Sequence, residues 1–430
     1  MLLETRGAHE RRWKQHPAYR DSGVEWLGEV PEGWAVLRLK NVTHFGYGNS
    51  LAADDRVPGE YRVYGSNGIV GWHEQPNTKG PCLIIGRKGS FGKVVYSEKS
   101  CFAIDTTYFV DSKHTDNNLR WLYYCLQWLQ LDSFTKDSAV PGLSREDAYE
   151  NRVPFCSIDE QHAIATFLDH ETGRIDALIV KKERQIDLLQ EKRAALISHA
   201  VTKGLDPDAP MKDSGVEWLG GVPEHWAKMG IKHLLHQIID TEHKTAPYSP
   251  DGRYLVVRTA NVRNGILSFD DAKYTDNEGF KEWTQRGVPK PGDILFTREA
   301  PAGDACIVPD NVPLCIGQRM VLFRVNKQRL DARFGIYSIY GGLADEFIRS
   351  LSQGSTVGHF NMSDIGNTPL FEPSLSEQRT IAAFLDRETG HIDTLTTKVR
   401  ESISKLREYR TALISAAVTG KIDVREELVS

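Results

Sequence analysis

Apolar side chains recur at steps of three and four residues along two segments, one in the middle of the chain and one near its C-terminus. Such steps place them on one narrow stripe of an α-helix, while charged runs such as 181–184 occupy the other faces. The first segment begins near residue 159 and continues to about residue 200. The first stripe consists of Ile175, Leu178, Ile186, Leu189 and Leu196, and the second of Ile392, Leu395, Val399, Ile403, Leu406 and Leu413.

The two stripes have the same spacing, so we predict that the helices pair with each other in antiparallel orientation and form a coiled-coil seam. The alternative is that each helix packs separately on a local core, as amphipathic helices commonly do. A mutual pairing buries both stripes with a single geometry, and we favour it for that reason.

The chain also repeats itself outside the stripes. Residues 21–28 read DSGVEWLG, the same eight letters return at 213–220, and both copies continue as x-V-P-E-x-W to Trp34 and Trp226. Residues 160–206 match 377–423 at about half of their positions. We therefore predict a tandem duplication with pseudo-twofold symmetry, in which each half contains an octapeptide block, a divergent segment and a long helix.

The divergent segments have the texture of small α+β domains. Short β-rich runs at 81–85, 93–96, 254–257 and 293–297 are punctuated by glycine turns, and 118–131 is typical of a helix. We expect a mixed α/β protein with two α+β domains separated by two long antiparallel helices. The boundaries we assign are an N-terminal extension at 1–20, domains at 21–156 and 213–373, helical segments at 157–206 and 374–430, and a linker at 207–212.

In each divergent segment a strand is followed by a polar turn, at 86–93 and at 297–304. Exposed backbone N–H groups and short polar side chains suit contact with phosphates and base edges, although a tight hairpin with solvated charge is the simpler alternative. Candidate DNA contacts are Arg87, Lys88, Ser90, Lys93, Lys136 and Ser138 in the first half, and Arg298, Gln318, Arg319, Ser355, Thr356 and Asn361 in the second.

Composition narrows the class of protein. The 430 residues are 40% hydrophobic and 26% charged, which is typical of a globular chain of two or three domains. The net charge of −5 argues against a surface that is basic throughout. No apolar run is long enough to span a membrane and no N-terminal apolar stretch suggests export, so we expect a cytoplasmic protein. The six cysteines form no C-x-x-C pair, and we expect reduced buried thiols and no metal site.

Catalytic motifs are scarce. The turn at 86–93 departs from a phosphate-binding loop because Arg87 and Val94 occupy positions that require Gly and Ser or Thr. Asp251, Asp271 and Lys273 fit a loose nuclease pattern, but 250–252 is also a good turn sequence. We therefore predict no catalytic centre in this chain.

The repeated motifs resemble a known family. D-S-G-V-E-W-L-G-x-V-P-x-x-W, E-Q-x-x-I-A-x-F-L-D-x-E-T-G-x-I-D and A-L-I-S-x-A-V-T are similar to the specificity subunit of type I restriction-modification enzymes, over nearly the whole chain. The resemblance implies two target-recognition domains that read the halves of a bipartite site in double-stranded DNA, with helices that set the spacer between them and dock methyltransferase subunits. It also implies methyltransferase (modification) subunits that use S-adenosylmethionine, and motor-nuclease (restriction) subunits that use ATP and Mg. No cofactor is expected on this chain itself.

Two other functions remain open from the sequence. One is a stand-alone nuclease that uses Asp251, Asp271 and Lys273. The other is a coiled-coil scaffold that carries two modules binding something other than DNA.

Overall fold

The computed structural model describes residues 13–133, 142–241, 244–299, 301–352 and 360–426. The chain forms two compact units, one made of Met1–Lys182 with Arg400–Ser430 and the other of Glu183–Val399; we call them unit 1 and unit 2. The predicted long helices are Ile158–Lys203 and Leu375–Val418, named here the first and second framework helices. Each framework helix contributes one end to each unit.

Unit 1 contains two small sheets. A four-stranded antiparallel sheet has the order Gly46–Tyr47, Thr107–Val110, Cys82–Gly86, Val94–Ser97. A three-stranded sheet has the order Gly68–His73, Tyr61–Gly65, Phe102–Ala103, and its last pair is parallel. Strand pairs Tyr19–Asp21 with Glu29–Pro31 and Ala35–Arg38 with Arg152–Phe155, and helices Leu119–Trp128 and Arg145–Glu150, complete the unit.

Unit 2 has the same strand order in both of its larger sheets. The four-stranded sheet runs Leu235–Asp240, Met320–Val325, Ile294–Thr297, Ala305–Ile307, and the three-stranded sheet runs Lys273–Thr275, Tyr254–Val257, Leu314–Ile316, again with a parallel last pair. The two-stranded pairs are Met211–Asp213 with Gly221–Pro223, Ala227–Gly230 with Pro369–Glu372, and Val262–Arg263 with Ile266–Leu267. Its helices are Asn277–Trp283, Ala332–Ile339, Gly342–Ser352 and Met362–Asn367.

Both framework helices begin and end on local signals. The hydroxyl of Ser157 accepts a hydrogen bond from the backbone N–H of Glu160, whose carboxylate accepts one from the N–H of Ser157 in return. The hydroxyl of Ser374 caps the second helix by accepting a hydrogen bond from the backbone N–H of Glu377. Gly204 and Gly420 follow the helix ends at φ of 75° and 71°, the left-handed conformation that terminates a helix at low cost.

The buried stripe of each helix follows a regular four-three alternation. In the first helix the buried or half-buried positions are Leu168, Thr172, Ile175, Ile179, Lys182, Ile186, Leu189, Arg193, Leu196 and Ala200; in the second they are Leu385, Thr389, Ile392, Thr396, Val399, Ile403, Leu406, Arg410, Leu413 and Ala417. Nine of the eleven residues assigned to the stripes from the sequence lie on this series.

The assignment of Leu178 and Leu395 to the stripes is wrong. They are 45% and 49% exposed, whereas the next residues, Ile179 and Thr396, are 9% and 8% exposed. Because Ile175 follows Thr172 by three residues, the alternation places the next buried residue four positions later, at Ile179. The equivalent residue of the second helix is Thr396, and its polar side chain hides this buried position in the sequence.

The antiparallel orientation is visible within each unit separately. In unit 1, Asp176 pairs with Arg410 at 3.0 Å, while Glu160, nearer the start of the first helix, lies 4.0 Å from Arg425, beyond the end of the second. In unit 2, Arg193 pairs with Asp393 at 3.5 Å. At the end of the first helix, Gly204 approaches Glu377, near the start of the second.

A glutamate and a glutamine at the start of each framework helix join three segments of one unit. In unit 1, the indole N–H of Trp34 donates to the Glu160 carboxylate at 3.2 Å, which ties the octapeptide region to the helix. The amide oxygen of Gln161 accepts from the N–H of Asn118 at 3.0 Å, and Asn118 caps the helix Leu119–Trp128.

Unit 2 repeats these contacts although its sequence between the octapeptide and the helix differs. The indole N–H of Trp226 donates to Glu377 at 3.0 Å, and the amide oxygen of Gln378 accepts from the N–H of Asp331 at 2.8 Å. Asp331 caps the helix Ala332–Ile339, as Asn118 caps its counterpart. The E-Q motif is therefore a structural joint between the framework helix and the α+β part of each unit.

A second joint lies two turns further along each framework helix. In unit 1, the Asp169 carboxylate accepts from Arg120 at 2.5 Å and from the Tyr124 hydroxyl at 2.6 Å. In unit 2, Asp386 accepts from Arg333 and Tyr337 at 2.9 and 2.8 Å. The aspartate of the F-L-D motif thus binds an arginine and a tyrosine that lie four residues apart on the neighbouring helix.

Each octapeptide block also lies against the end of a framework helix. The Lys203 ammonium donates to the carbonyl of Gly221, and the Lys421 ammonium to that of Glu29, and each of these carbonyls belongs to the residue directly after a block. In unit 1 the segment that precedes the block is held too, because the N–H of Asp423 donates to the carbonyl of Lys14 at 2.8 Å.

We predict that the four-three series, and not the exposed leucines, stabilises the helix pair. Ile175→Ala and Ile392→Ala should each lower the free energy of unfolding by about 2–5 kcal/mol, because they leave cavities at 4% and 6% exposed positions. The matched controls Leu178→Ala and Leu395→Ala should change it by less than about 0.5 kcal/mol. Urea unfolding followed by circular dichroism measures the difference, and equal losses in both sets would contradict the assigned seam.

Candidate nucleic-acid interface

Three polar turns meet at one end of the sheets in unit 1. The glycine-rich turn after the strand Cys82–Gly86 closes on itself, with the N–H of Gly86 donating to the carbonyl of Lys93 and that of Gly92 to the carbonyl of Gly86, both at 2.8 Å. The Ser90 hydroxyl donates to the side-chain oxygen of Asn67 at 3.4 Å, in the turn between two neighbouring strands. The third turn contains Thr106.

Thr106 fixes the glycine-rich turn from the side. Its carbonyl accepts from the N–H groups of both Arg87 and Lys88, at 2.9 and 3.2 Å. The side chains of Lys88, Ser90 and Lys93 remain exposed. Four of the six candidates in the first half are therefore brought together on one turn, while Lys136 and Ser138 lie outside the described residues.

Arg87 is held more firmly than its neighbours. One guanidinium nitrogen donates to the carbonyl of Asp105 at 3.0 Å, and the guanidinium carbon lies 5.1 Å and 5.8 Å from the ring centres of Tyr47 and Tyr108. These distances are typical of cation–π contacts. Tyr108 is buried, and this burial raises the pKa of its phenol to about 12, so the ring remains neutral at ordinary pH.

The sequence reasoning missed Tyr47, Asn67 and Thr106. Asn67 had a local signal, because Asn-Gly between β-rich runs is typical of a hairpin turn. Tyr47 had no local signal in the sequence, since it reaches Arg87 only through the pairing of the strand Gly46–Tyr47 with Thr107–Val110.

The corresponding turn of unit 2 uses its arginines differently. Arg298 directly follows its strand as Arg87 does, but it is only 9% exposed and donates to Asp240 at 2.9 Å and to the carbonyl of Phe360 at 2.9 Å. Its guanidinium is therefore engaged inside the unit. Arg319 is exposed at a φ of 70°, and its guanidinium lies 3.3 Å from the Glu299 carboxylate.

The other second-half candidates have mixed positions. The Gln318 side-chain oxygen accepts from Thr245 at 3.4 Å, close to Arg319 in the same turn. Asn361 lies at the N-terminus of the helix Met362–Asn367 and caps it, its side chain accepting from the N–H of Asp364 at 2.8 Å. Ser355 and Thr356 lie outside the described residues.

The nuclease pattern does not assemble. Asp271 is bound by Lys273 at 2.8 Å and by Arg258 at 3.1 Å, and the hydrogen bonds from these two cations lower the pKa of its carboxyl group. Asp251 lies in a turn before the strand Tyr254–Val257, at the end away from Asp271. The four-residue strand alone separates them by about 13 Å, too far for shared ligation of one metal ion.

A wider search of the described ranges finds no group of three His, Cys, Asp or Glu residues that could hold a metal ion. Within the same ranges, no helix has the length and apolar character that crossing a membrane requires. All six cysteines are free and buried.

The two units share one architecture. Each unit contains a four-stranded antiparallel sheet of the same strand order with a polar, arginine-bearing turn, and each unit includes one end of both framework helices. The sequence model of the type I restriction modification DNA specificity domain matches residues 31–187 and again 223–405. The chain belongs to this family, and the resemblance drawn from its repeated motifs is confirmed.

Similar proteins cover almost the whole chain. The type I restriction enzyme MjaVIII specificity subunit of Methanocaldococcus jannaschii is 21% identical over 415 residues, covering 92% of this chain and 94% of the relative. The EcoBI specificity subunit of Escherichia coli is 20% identical over 405 residues, covering 91% and 80%. A solved chain from a study of assembly and conformational transition in the type I R-M system shares the fold, with a TM-score of 0.67 at 14% identity, covering 91% of this chain and 99% of that chain.

We predict opposite roles for the two arginines of unit 2. Arg298→Met should destabilise unit 2 by roughly 3 kcal/mol, because it removes the buried guanidinium that pairs with Asp240 at 2.9 Å. Arg319→Met should leave stability within about 0.5 kcal/mol of the wild type, because its side chain is half exposed. Thermal unfolding of the purified chain decides between them, and equal melting temperatures for the two variants would contradict the structural role of Arg298.

Proposed function

We propose that this chain is the addressing subunit of a type I restriction-modification complex, and that each unit reads one half of a bipartite sequence in double-stranded DNA. The observation that carries the proposal is the repeat of one sheet topology with different turn chemistry. Arg87 stacks on tyrosines in unit 1, whereas Arg298 and Arg319 face carboxylates in unit 2. A constant scaffold with different reading turns suits two related but unequal half-sites.

The proposal includes the domain organisation expected from the sequence. Target-recognition domains at 21–156 and 213–373 are carried by helical segments at 157–206 and 374–430, as a tandem duplication with pseudo-twofold symmetry. The double match of one family model and the repeated strand order support this duplication. DNA contact through Lys88, Ser90, Lys93, Gln318 and Arg319 belongs to the same proposal.

Catalysis is assigned to partner subunits. Methyltransferase subunits would supply S-adenosylmethionine chemistry, and motor-nuclease subunits would supply ATP-driven translocation and Mg-dependent cleavage. The fold of a chain from a type I R-M assembly supports a role within such a complex.

The octapeptide blocks are the surfaces we assign to methyltransferase docking. Turn formation accounts for most of each block, because Asp21 and Ser22 bond to the backbone of the turn and Leu27 is buried. It does not account for the tryptophans, since Trp26 is 61% exposed and Trp218 is 54% exposed. Two identical octapeptides that each expose a tryptophan, in halves whose intervening segments have diverged, indicate contact with two copies of the same partner.

Removing these indoles should change the composition of the complex. We expect Trp26→Ala and Trp218→Ala each to lose one of two methyltransferase subunits, and the double variant to lose both, because buried tryptophans at interfaces commonly contribute 2 kcal/mol or more, or about 30-fold in affinity. Native mass spectrometry of co-expressed subunits gives the count. Tyr248→Ala, at another exposed aromatic residue outside both blocks, is the control. An unchanged count in the double variant would refute this docking site.

The framework helices would set the distance between the half-sites. Inserting four residues after Gln185 and four after Ser402, at equivalent places in the two helices, lengthens each helix by about 6 Å and rotates the attached face by roughly 40°. These changes correspond to about one or two base-pair steps of B-DNA. Mapping methylated sites with the assembled complex should therefore show a spacer longer by one or two base pairs, with both half-sites unchanged.

The same experiment tests the function as a whole. A wild-type complex that modifies no bipartite sequence would overturn the addressing role. An unchanged spacer in the insertion variant would overturn only the role of the helices as a ruler. Changed half-sites would show that the helices themselves contribute to recognition of the DNA sequence.

A further inference from the structure

The exposed turn of unit 1 contains an arginine whose position is fixed from several sides. Its backbone N–H donates to Thr106 at 2.9 Å, and its carbonyl accepts from the N–H of Leu143 at 2.8 Å. Its guanidinium rests on the rings of Tyr47 and Tyr108, and one terminal nitrogen is bound to the carbonyl of Asp105. A side chain held in this way loses little conformational entropy when it binds.

The remaining edge of this guanidinium is available to a ligand. The bond to Asp105 uses Nη1, and neither Nε nor Nη2 donates to any residue within the described ranges. Nor does Arg87 form an ion pair with a residue in those ranges, unlike Arg298 and Arg319 in unit 2. Nε–H and Nη2–H form a planar two-donor fork, which matches two acceptors side by side.

We propose, on the basis of the addressing function above, that Arg87 reads a guanine in the half-site recognised by unit 1. In the major groove, guanine presents N7 and O6 as adjacent acceptors, and arginine recognises this pair with two parallel hydrogen bonds. A backbone phosphate also accepts from arginine, but it carries no sequence information. Tyr47 and Tyr108 are positioning residues, because they fix the direction of the fork without touching the base.

The structure explains why unit 2 would not read the same base in the same way. Arg298 takes the equivalent place after its strand, but its guanidinium is bound to Asp240 and Phe360 and is 9% exposed. One arginine is thus available in unit 1 and the other is engaged inside unit 2. The two arginines occupy equivalent positions, but only the one in unit 1 is available to bind a base, so the two units would read different half-sites.

Selection from a random DNA duplex library, using the complex of the full chain with its methyltransferase subunits, tests the proposal. The wild type should require guanine at one position of one half-site, and Arg87→Ala should reduce that preference by about 5- to 150-fold with the other half-site unchanged. Arg87→Lys should not restore it, because an ammonium lacks the planar fork. Lys99→Ala, which removes a charge at the far end of the strand Cys82–Gly86, is the matched control and should leave the preference unchanged.

A second measurement keeps the wild-type chain and changes only the base. Replacing the guanine at that position by 7-deazaguanine removes N7, so the wild type should lose affinity while Arg87→Ala loses none. Tyr47→Leu should weaken the guanine preference without lowering the melting temperature, because Tyr47 is 45% exposed.

The outcomes separate this proposal from the addressing function. If the wild type selects no bipartite sequence, the addressing function itself fails. If it selects one but Arg87→Ala keeps the guanine preference, or weakens all sequences equally as loss of a phosphate contact would, only the assignment of Arg87 is overturned. Equal affinity of the wild type for guanine and 7-deazaguanine would overturn it as well.

Discussion

The architecture of each unit depends on one buried amide at the start of a framework helix. Gln161 and Gln378 are almost fully buried, and each hydrogen-bonds the cap of a recognition helix on one side and the preceding backbone on the other. A buried amide without partners costs about 1–3 kcal/mol, so each glutamine constrains all the segments that meet there. The neighbouring glutamate adds the indole N–H of Trp34 or Trp226 to the same joint. The recognition fold, the octapeptide region and the helix are therefore fixed together at one place in each unit.

Much of this framework could be predicted from the sequence, because the repeat supplies two independent readings of one pattern. The helix positions, the strand Tyr254–Val257 and most of the seam follow from periodicity alone. The error at Leu178 shows where periodicity is insufficient, since steps of three and four are both allowed and only the neighbouring turns decide between them. The first framework helix continues through Gly173, because packing along the stripe outweighs a propensity cost of about 1 kcal/mol.

The interface was less predictable, for a different physical reason. The polar turn after the central strand is visible in the sequence, but whether its arginine is exposed depends on residues distant along the chain. Arg298 meets Asp240 from another strand, and Arg87 meets Tyr47 through sheet pairing. Burial and ion pairing of this kind are tertiary properties, so two arginines that look equivalent in sequence differ in what they can bind.

The separation between joints and turns bears on how such a chain can change over generations. The contacts of Glu160, Gln161 and Asp169 hold the recognition helix and the octapeptide region, whereas Asn67, Lys88 and Ser90 lie on exposed strand-connecting turns. Substitutions at the exposed turn positions therefore leave the joints intact and cost little stability. Changes can therefore accumulate on the exposed turns while the joints stay intact, so that different turn chemistry can be carried on one inherited scaffold.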